Sequence, residues 1–175
     1  MSGGVAPSAV PALAHLVVVT TGGTIDKIYF DQLSDYQIGD PQIAHVLSDM
    51  QVAFTWEVKP LMRKDSLAMD DNDRAAIRTA IAAATVHHFI VTHGTDTMIE
   101  TARALCGLGG DKVIVLTGAL QPAGFIASDA VFNIGCAVGA VQTMPPGVWI
   151  AMNGRIWHPQ RVRKNRQRNC FEPVN

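Results

Sequence analysis

A chain of 175 residues suits one domain of ordinary size, and 48% apolar residues are enough to bury a full core, so disorder is not its default state. A net charge of -1 argues against a nucleic-acid or membrane partner recognised through charge. Cys106, Cys136 and Cys170 are far apart and form no C-x-x-C pair, which excludes the usual zinc and redox motifs and suits reduced thiols in a cytosol.

Residues 1–14 are small and proline-rich and lack the basic start of a signal peptide, so they read as a flexible tail before a single domain over 15–175. No apolar run is long enough to span a bilayer. Leu16 to Thr20 reads as a fully buried strand. Gly22 to Gly39 lacks periodicity and reads as a long loop carrying Lys27, Tyr29, Asp35 and Tyr36. Asp40-Pro41 predicts a helix start, with Asp40 as N-cap, running to about Met50.

Val52 to Val58 reads as a second strand, and Asp70 to Ala84 as a helix with acidic residues in its first turn. His87 to Thr92 is a third strand, and Asp96 to Leu105 a helix closed by Gly107, Gly109 and Gly110. Val113 to Thr117 is a fourth strand, Ser128 to Thr143 a helix capped by Ser128, and Val148 to Met152 a fifth strand. The remainder is basic and reads as irregular. Strands alternating with helices predict a three-layer, Rossmann-like α/β domain, with a mostly parallel sheet covered on both faces.

In such sheets ligands bind beyond the carboxyl ends of the strands, near a switch in strand order. The first strand ends in TTGGT, the third in THGTDT and the fourth in TGALQP. Three strand ends rich in glycine and hydroxyl groups predict one polar rim. Glycines let a backbone turn tightly and leave N–H groups open, so a hydroxyl at Thr24 could attack an acyl carbon while N–H groups hold the oxyanion. The plainer alternative is that Thr24 only follows a turn. Thr95 and Asp96 could likewise cap the helix that follows them, or put a hydroxyl and a carboxylate on the rim. Asp65 and Ser66 lie in a loop that could hold an amino acid's charged groups. Lys164, if drawn inward from the basic tail against Asp96, could accept a threonine's proton.

The segments TTGGTID (20–26), DSLAMDDND (65–73), VTHGTDTMIETA (91–102), VLTGALQPAG (115–124) and VRKN (162–165) together resemble the L-asparaginase family, in family order. The resemblance implies hydrolysis of the side-chain amide of asparagine to aspartate and ammonia, with no metal or organic cofactor. It implies that Thr24 is the first catalytic threonine and Thr95 the second, with Asp96 and Lys164 paired beside it. Ser66 falls at a substrate-binding position, with Asp65 beside it. Gly23 and Gly94 fall in the two turns, and the Ala119 carbonyl falls against the leaving amide. Tyr29 or Tyr36 matches the loop tyrosine, and Tyr29 is favoured because TIDKIYF looks like the short-chain form. Leu67 stands where glutamine is common in longer members. Those members carry a second domain that completes a neighbouring subunit's site, so the short one-domain type and a cytoplasmic homo-oligomer, dimer or tetramer, are expected.

Overall fold

The computed structural model describes residues 13–30, 35–108 and 110–174. In chain order, β1 (His15–Thr20) leads through a 3-10 turn (Thr24–Asp26) into β2 (Lys27–Phe30) and β3 (Asp35–Ile38). Helix α1 (Gln42–Asp49), β4 (Thr55–Pro60), α2 (Asp71–Ala83), β5 (His88–Thr92) and α3 (Met98–Leu105) follow. Then come β6 (Val113–Thr117), α4 (Ala130–Thr143), β7 (Gly147–Met152), β8 (Arg155–Trp157), β9 (Val162–Asn165) and β10 (Cys170–Pro173).

The central sheet has six strands in the order β4-β1-β5-β6-β7-β8. All pairs in it are parallel except β7 with β8. Alternation along β1 sends Val17 and Val19 to one face and Leu16 and Val18 to the other, and both faces are buried. Ile77 and Ile81 of α2 and Met98, Ala102 and Leu105 of α3 cover the first face. Ile43 and Leu47 of α1 and Ile134, Ala137 and Val141 of α4 cover the second. This is the expected three-layer α/β domain. Among the parallel strands the order reverses between β1 and β5, which makes their carboxyl ends the switch point. No described helix is long and apolar enough to cross a membrane.

Several elements differ from expectation. The stretch read as a loop from Gly22 to Gly39 contains the antiparallel pair β2–β3. Its strands are short and largely exposed, so no burial alternation marks them in the sequence. Asp40 does not cap α1. The Gln42 N–H is taken instead by the Asp26 carboxylate at 2.9 Å, while Asp40 pairs with Arg63. The second strand begins at Thr55, later than expected, because pairing with β1 sets its register. Asp70 and Asp73 form a reciprocal capping box at α2. Helix α4 starts at Ala130, with Asp129 as its N-cap residue; Ser128 Oγ accepts the Ala130 N–H just before it. The basic tail is not irregular. β8 extends the sheet, with Arg155 stacked 4.4 Å over the Trp157 ring, and β9 pairs with β10. The tail expected over 1–14 lies outside the described residues up to residue 12, and Leu13 is buried in the core. Gly109, read as part of a helix stop, also lies outside them.

Burial pushes the Asp26 carboxyl up to about 6, against the pull of the Gln42 N–H and of Arg63. A carboxyl raised on folding favours the folded state at low pH, and that contribution is lost as pH rises from 3.8 through about 6. The Asp26→Asn protein is therefore expected to melt several degrees above the parent at pH 8. The gap should narrow below pH 6, which thermal scans across that range will check.

Candidate active site

The turns after β1, β5 and β6 meet through their backbones. Gly23, at φ 93°, lies so close to the next turn that a Cβ on it would sit 2.5 Å from the Gly94 nitrogen. A Cβ on Gly94 would sit 2.5 Å from Ser66 Oγ, and one on Gly118 would meet the His93 carbonyl. Contacts this short admit no side chain. They bring Thr24, Ser66, Thr95 and Ala119 into one neighbourhood at the switch point. Gly94→Ala is expected to destabilise the fold by about 1–3 kcal/mol, because Ser66 is buried and has no room to yield. Urea unfolding measures that loss.

The Thr21 hydroxyl adds a cross-tie, donating to the Thr92 carbonyl at 2.9 Å. His93 is fully buried, and burial pushes its imidazole down to about 4, so the ring is neutral at pH 7. Nδ1–H donates to the Gly94 carbonyl at 2.7 Å, and Nε2 accepts the Thr101 hydroxyl at 2.8 Å. Both ring nitrogens are thus used in holding the turn.

Thr95 and Asp96 are not helix caps. Helix α3 begins at Met98 after Thr97, and Thr97 spends its hydroxyl on the Ser66 carbonyl at 2.7 Å. Thr95 is 5% exposed, and Lys164 Nζ reaches both its Oγ1, at 2.7 Å, and Asp96 Oδ1, at 2.8 Å. The register of β9 explains why a lysine from a basic stretch points inward. Val162 and Lys164 share one strand face, with Val162 in the core, while Arg163 faces out to Glu172. Arg166 lies at the rim, 3.9 Å from the same Asp96 oxygen.

Thr24 opens the 3-10 turn and is partly buried. With Lys27, Tyr36, Pro122 and Phe125 it lines a cleft of about 300 Å³. Tyr29 stands opposite Tyr36 in the hairpin, with ring centroids 5.5 Å apart, and Tyr36 in turn lies 6.2 Å from Phe125. Of the two tyrosines, Tyr36 is the one on the cleft wall. Asp65 is already engaged: it accepts the Leu67 N–H at 3.1 Å and pairs with Lys27 at 3.1 Å. These bonds, the Leu67 N–H first, hold its carboxyl below the usual range. Leu67 itself is exposed. Ala119 is buried, and the next two N–H groups, of Leu120 and Gln121, are taken by Asp129. From sequence, Lys27 is read only as a residue of the long loop, and Phe125 is not singled out. Lys27 directly follows TTGGTID, which was the available signal.

Two hydroxyls on touching turns, one of them joined to a lysine–carboxylate pair, form an arrangement suited to acyl transfer. Comparison with known proteins points the same way. The model of the asparaginase N-terminal domain matches residues 15–175. L-asparaginase 2 of Bacillus subtilis is 35% identical over 165 residues, covering 87% of this chain and 44% of that protein. A glutamyl-tRNA(Gln) amidotransferase subunit of Thermoplasma acidophilum is 29% identical over 171 residues, covering 90% of this chain and 42% of that protein. The thermostable L-asparaginase of Thermococcus kodakarensis superposes with a TM-score of 0.82 at 26% identity, covering 92% of this chain and 51% of that one. The chain thus spans about half the length of these relatives. With the domain matched from 15 to 175 and the same fold beneath its threonine turns, the chain belongs to the asparaginase family.

Proposed function

We propose that this chain hydrolyses the side-chain amide of L-asparagine to aspartate and ammonia through a threonine ester. Thr24 Oγ1 attacks the amide carbon, the C–N bond breaks, and ammonia leaves with the proton given up by the hydroxyl. Water then cleaves the ester, which releases aspartate and restores Thr24. Thr95 moves protons with the help of Lys164 and Asp96. The observation that carries this reading is the Lys164 ammonium on both Thr95 and Asp96, at 2.7 and 2.8 Å, on a turn packed against that of Thr24. Gly23, Gly94, Asp65, Ser66 and the Ala119 carbonyl surround the substrate, and Tyr36, with Tyr29 behind it, closes the cleft.

Ammonia release by the purified protein tests this, with asparagine and glutamine supplied separately. Faster release from asparagine is the expected result, and no release from either amide overturns the reading. The similarity to an amidotransferase supports a second reading, in which glutamine or a tRNA-linked amide is cleaved. A net charge of -1 weighs against tRNA. The proposal extends to a homo-oligomer in the cytoplasm. Exposed Tyr29 and Tyr36 on the hairpin, exposed Phe125 and Ile126 on the loop before α4, and three unpaired cysteines support those two points.

A further inference from the structure

Asp26 closes the turn that Thr24 opens, and it is 1% exposed. Three elements meet at it. Its N–H donates to the Gly23 carbonyl at 3.2 Å, which ties it to the Thr24 turn. Its carbonyl accepts the Gly39 N–H at 2.7 Å, so the β2–β3 hairpin leaves and returns at one residue. Its carboxylate accepts the Gln42 N–H at 2.9 Å, at the start of α1.

A buried carboxylate is costly, and a helix N-terminus offsets only part of that cost. The charged side chain that acts on it is Arg63, which is itself paired with exposed Asp40. Lys27, the next residue, is turned to Asp65 instead. What this acceptor does follows from its location: the hairpin that begins and ends at Asp26 carries Tyr36, and Tyr36 shares a cleft with Thr24.

We infer that Asp26 is a positioning residue, which holds the Thr24 turn, both ends of the tyrosine hairpin and the α1 N-terminus in one fixed relation. The inference rests on the reading of Thr24 as nucleophile. Its route is mechanical. Without the acceptor at Gln42, the hairpin base and the turn are free to shift together, and a displacement of about 1 Å at a reacting group costs about 10²-fold in rate.

The test compares Asp26→Leu, which removes the acceptor, with Asp26→Asn, which keeps an oxygen for the Gln42 N–H. Turnover of asparagine should fall by about 10²-fold in Asp26→Leu and be largely retained in Asp26→Asn. Amide exchange, read by NMR or mass spectrometry, should show the Gly39 and Gln42 N–H groups protected in the parent and in Asp26→Asn, and freely exchanging in Asp26→Leu. Exchange needs no catalysis. A parent that releases no ammonia therefore overturns the functional reading, while exchange still decides the clasp. Full turnover in Asp26→Leu overturns the inference, as do equal losses in the two variants. If Asp26→Leu does not fold, free exchange of Gly39 and Gln42 in the parent overturns it, and protection of both supports it.

Discussion

Thr24→Ala is expected to abolish amide hydrolysis, by on the order of 10⁴-fold or more, while leaving the fold intact. The size follows from the proposed role: loss of the attacking group removes the first step, and the second hydroxyl, on Thr95, is already bonded to Lys164. Stability is spared because backbone bonds hold the turn. Asp26 N–H donates to the Gly23 carbonyl and Lys27 N–H to the Thr24 carbonyl, and neither uses the threonine side chain. Removing a hydroxyl from a partly buried surface position changes stability by about 1 kcal/mol or less. Ammonia release at saturating asparagine, paired with a melting curve, separates the two effects. Retained turnover in a folded variant removes Thr24 from the chemistry and moves the nucleophile to Thr95. Mass spectrometry of a trapped acyl-enzyme makes the same distinction directly.

Lys164→Met is expected to cost about 10²–10⁴-fold in turnover, the range for a lost proton-transfer group. Lys164 is nearly buried, with 9% of its side chain exposed, so methionine keeps most of the packing along the stem. Asp96 loses a partner but is 34% exposed, and water with Arg166 takes up its oxygen. The stability change should therefore stay near 1 kcal/mol. A cycle with Thr95→Val sharpens the point. If Lys164 acts through Thr95, the double variant is barely slower than the worse single one. Losses that multiply would mean that the lysine works elsewhere, and an unchanged rate in Lys164→Met would return it to a structural role.

The inner parallel strands β1, β5 and β6 were legible because their burial on both faces leaves continuous apolar runs, as in Leu16 to Thr20 and Val113 to Thr117. The rim was legible for the same reason: each run ends abruptly in glycine and hydroxyl residues. What could not be read were features set by partners distant in sequence. Asp40 looks like the cap of α1, yet the N–H goes to Asp26, 16 residues upstream, which burial places beneath it. Thr95 and Asp96 could equally cap the helix they precede or meet Lys164 on the rim, and only the folded chain, which brings Lys164 across 69 residues to Thr95, shows that their side chains are used in the second way. The hairpin and β8 to β10 escaped because strands of three or four residues, half of them charged or exposed, carry no period to detect.

The glycine contacts at the rim also limit how this site can diversify. At Gly23, Gly94 and Gly118 a single added carbon meets another turn, so new side chains cannot be introduced there to reshape the floor. The walls are different: Lys27, Tyr36 and Phe125 project from a hairpin and a loop whose outer sides face water. A library aimed at altered amide preference would be best spent on those wall positions, with the floor left untouched. In lineages of this domain, changes of substrate should be written in the walls while the threonine turns stay the same.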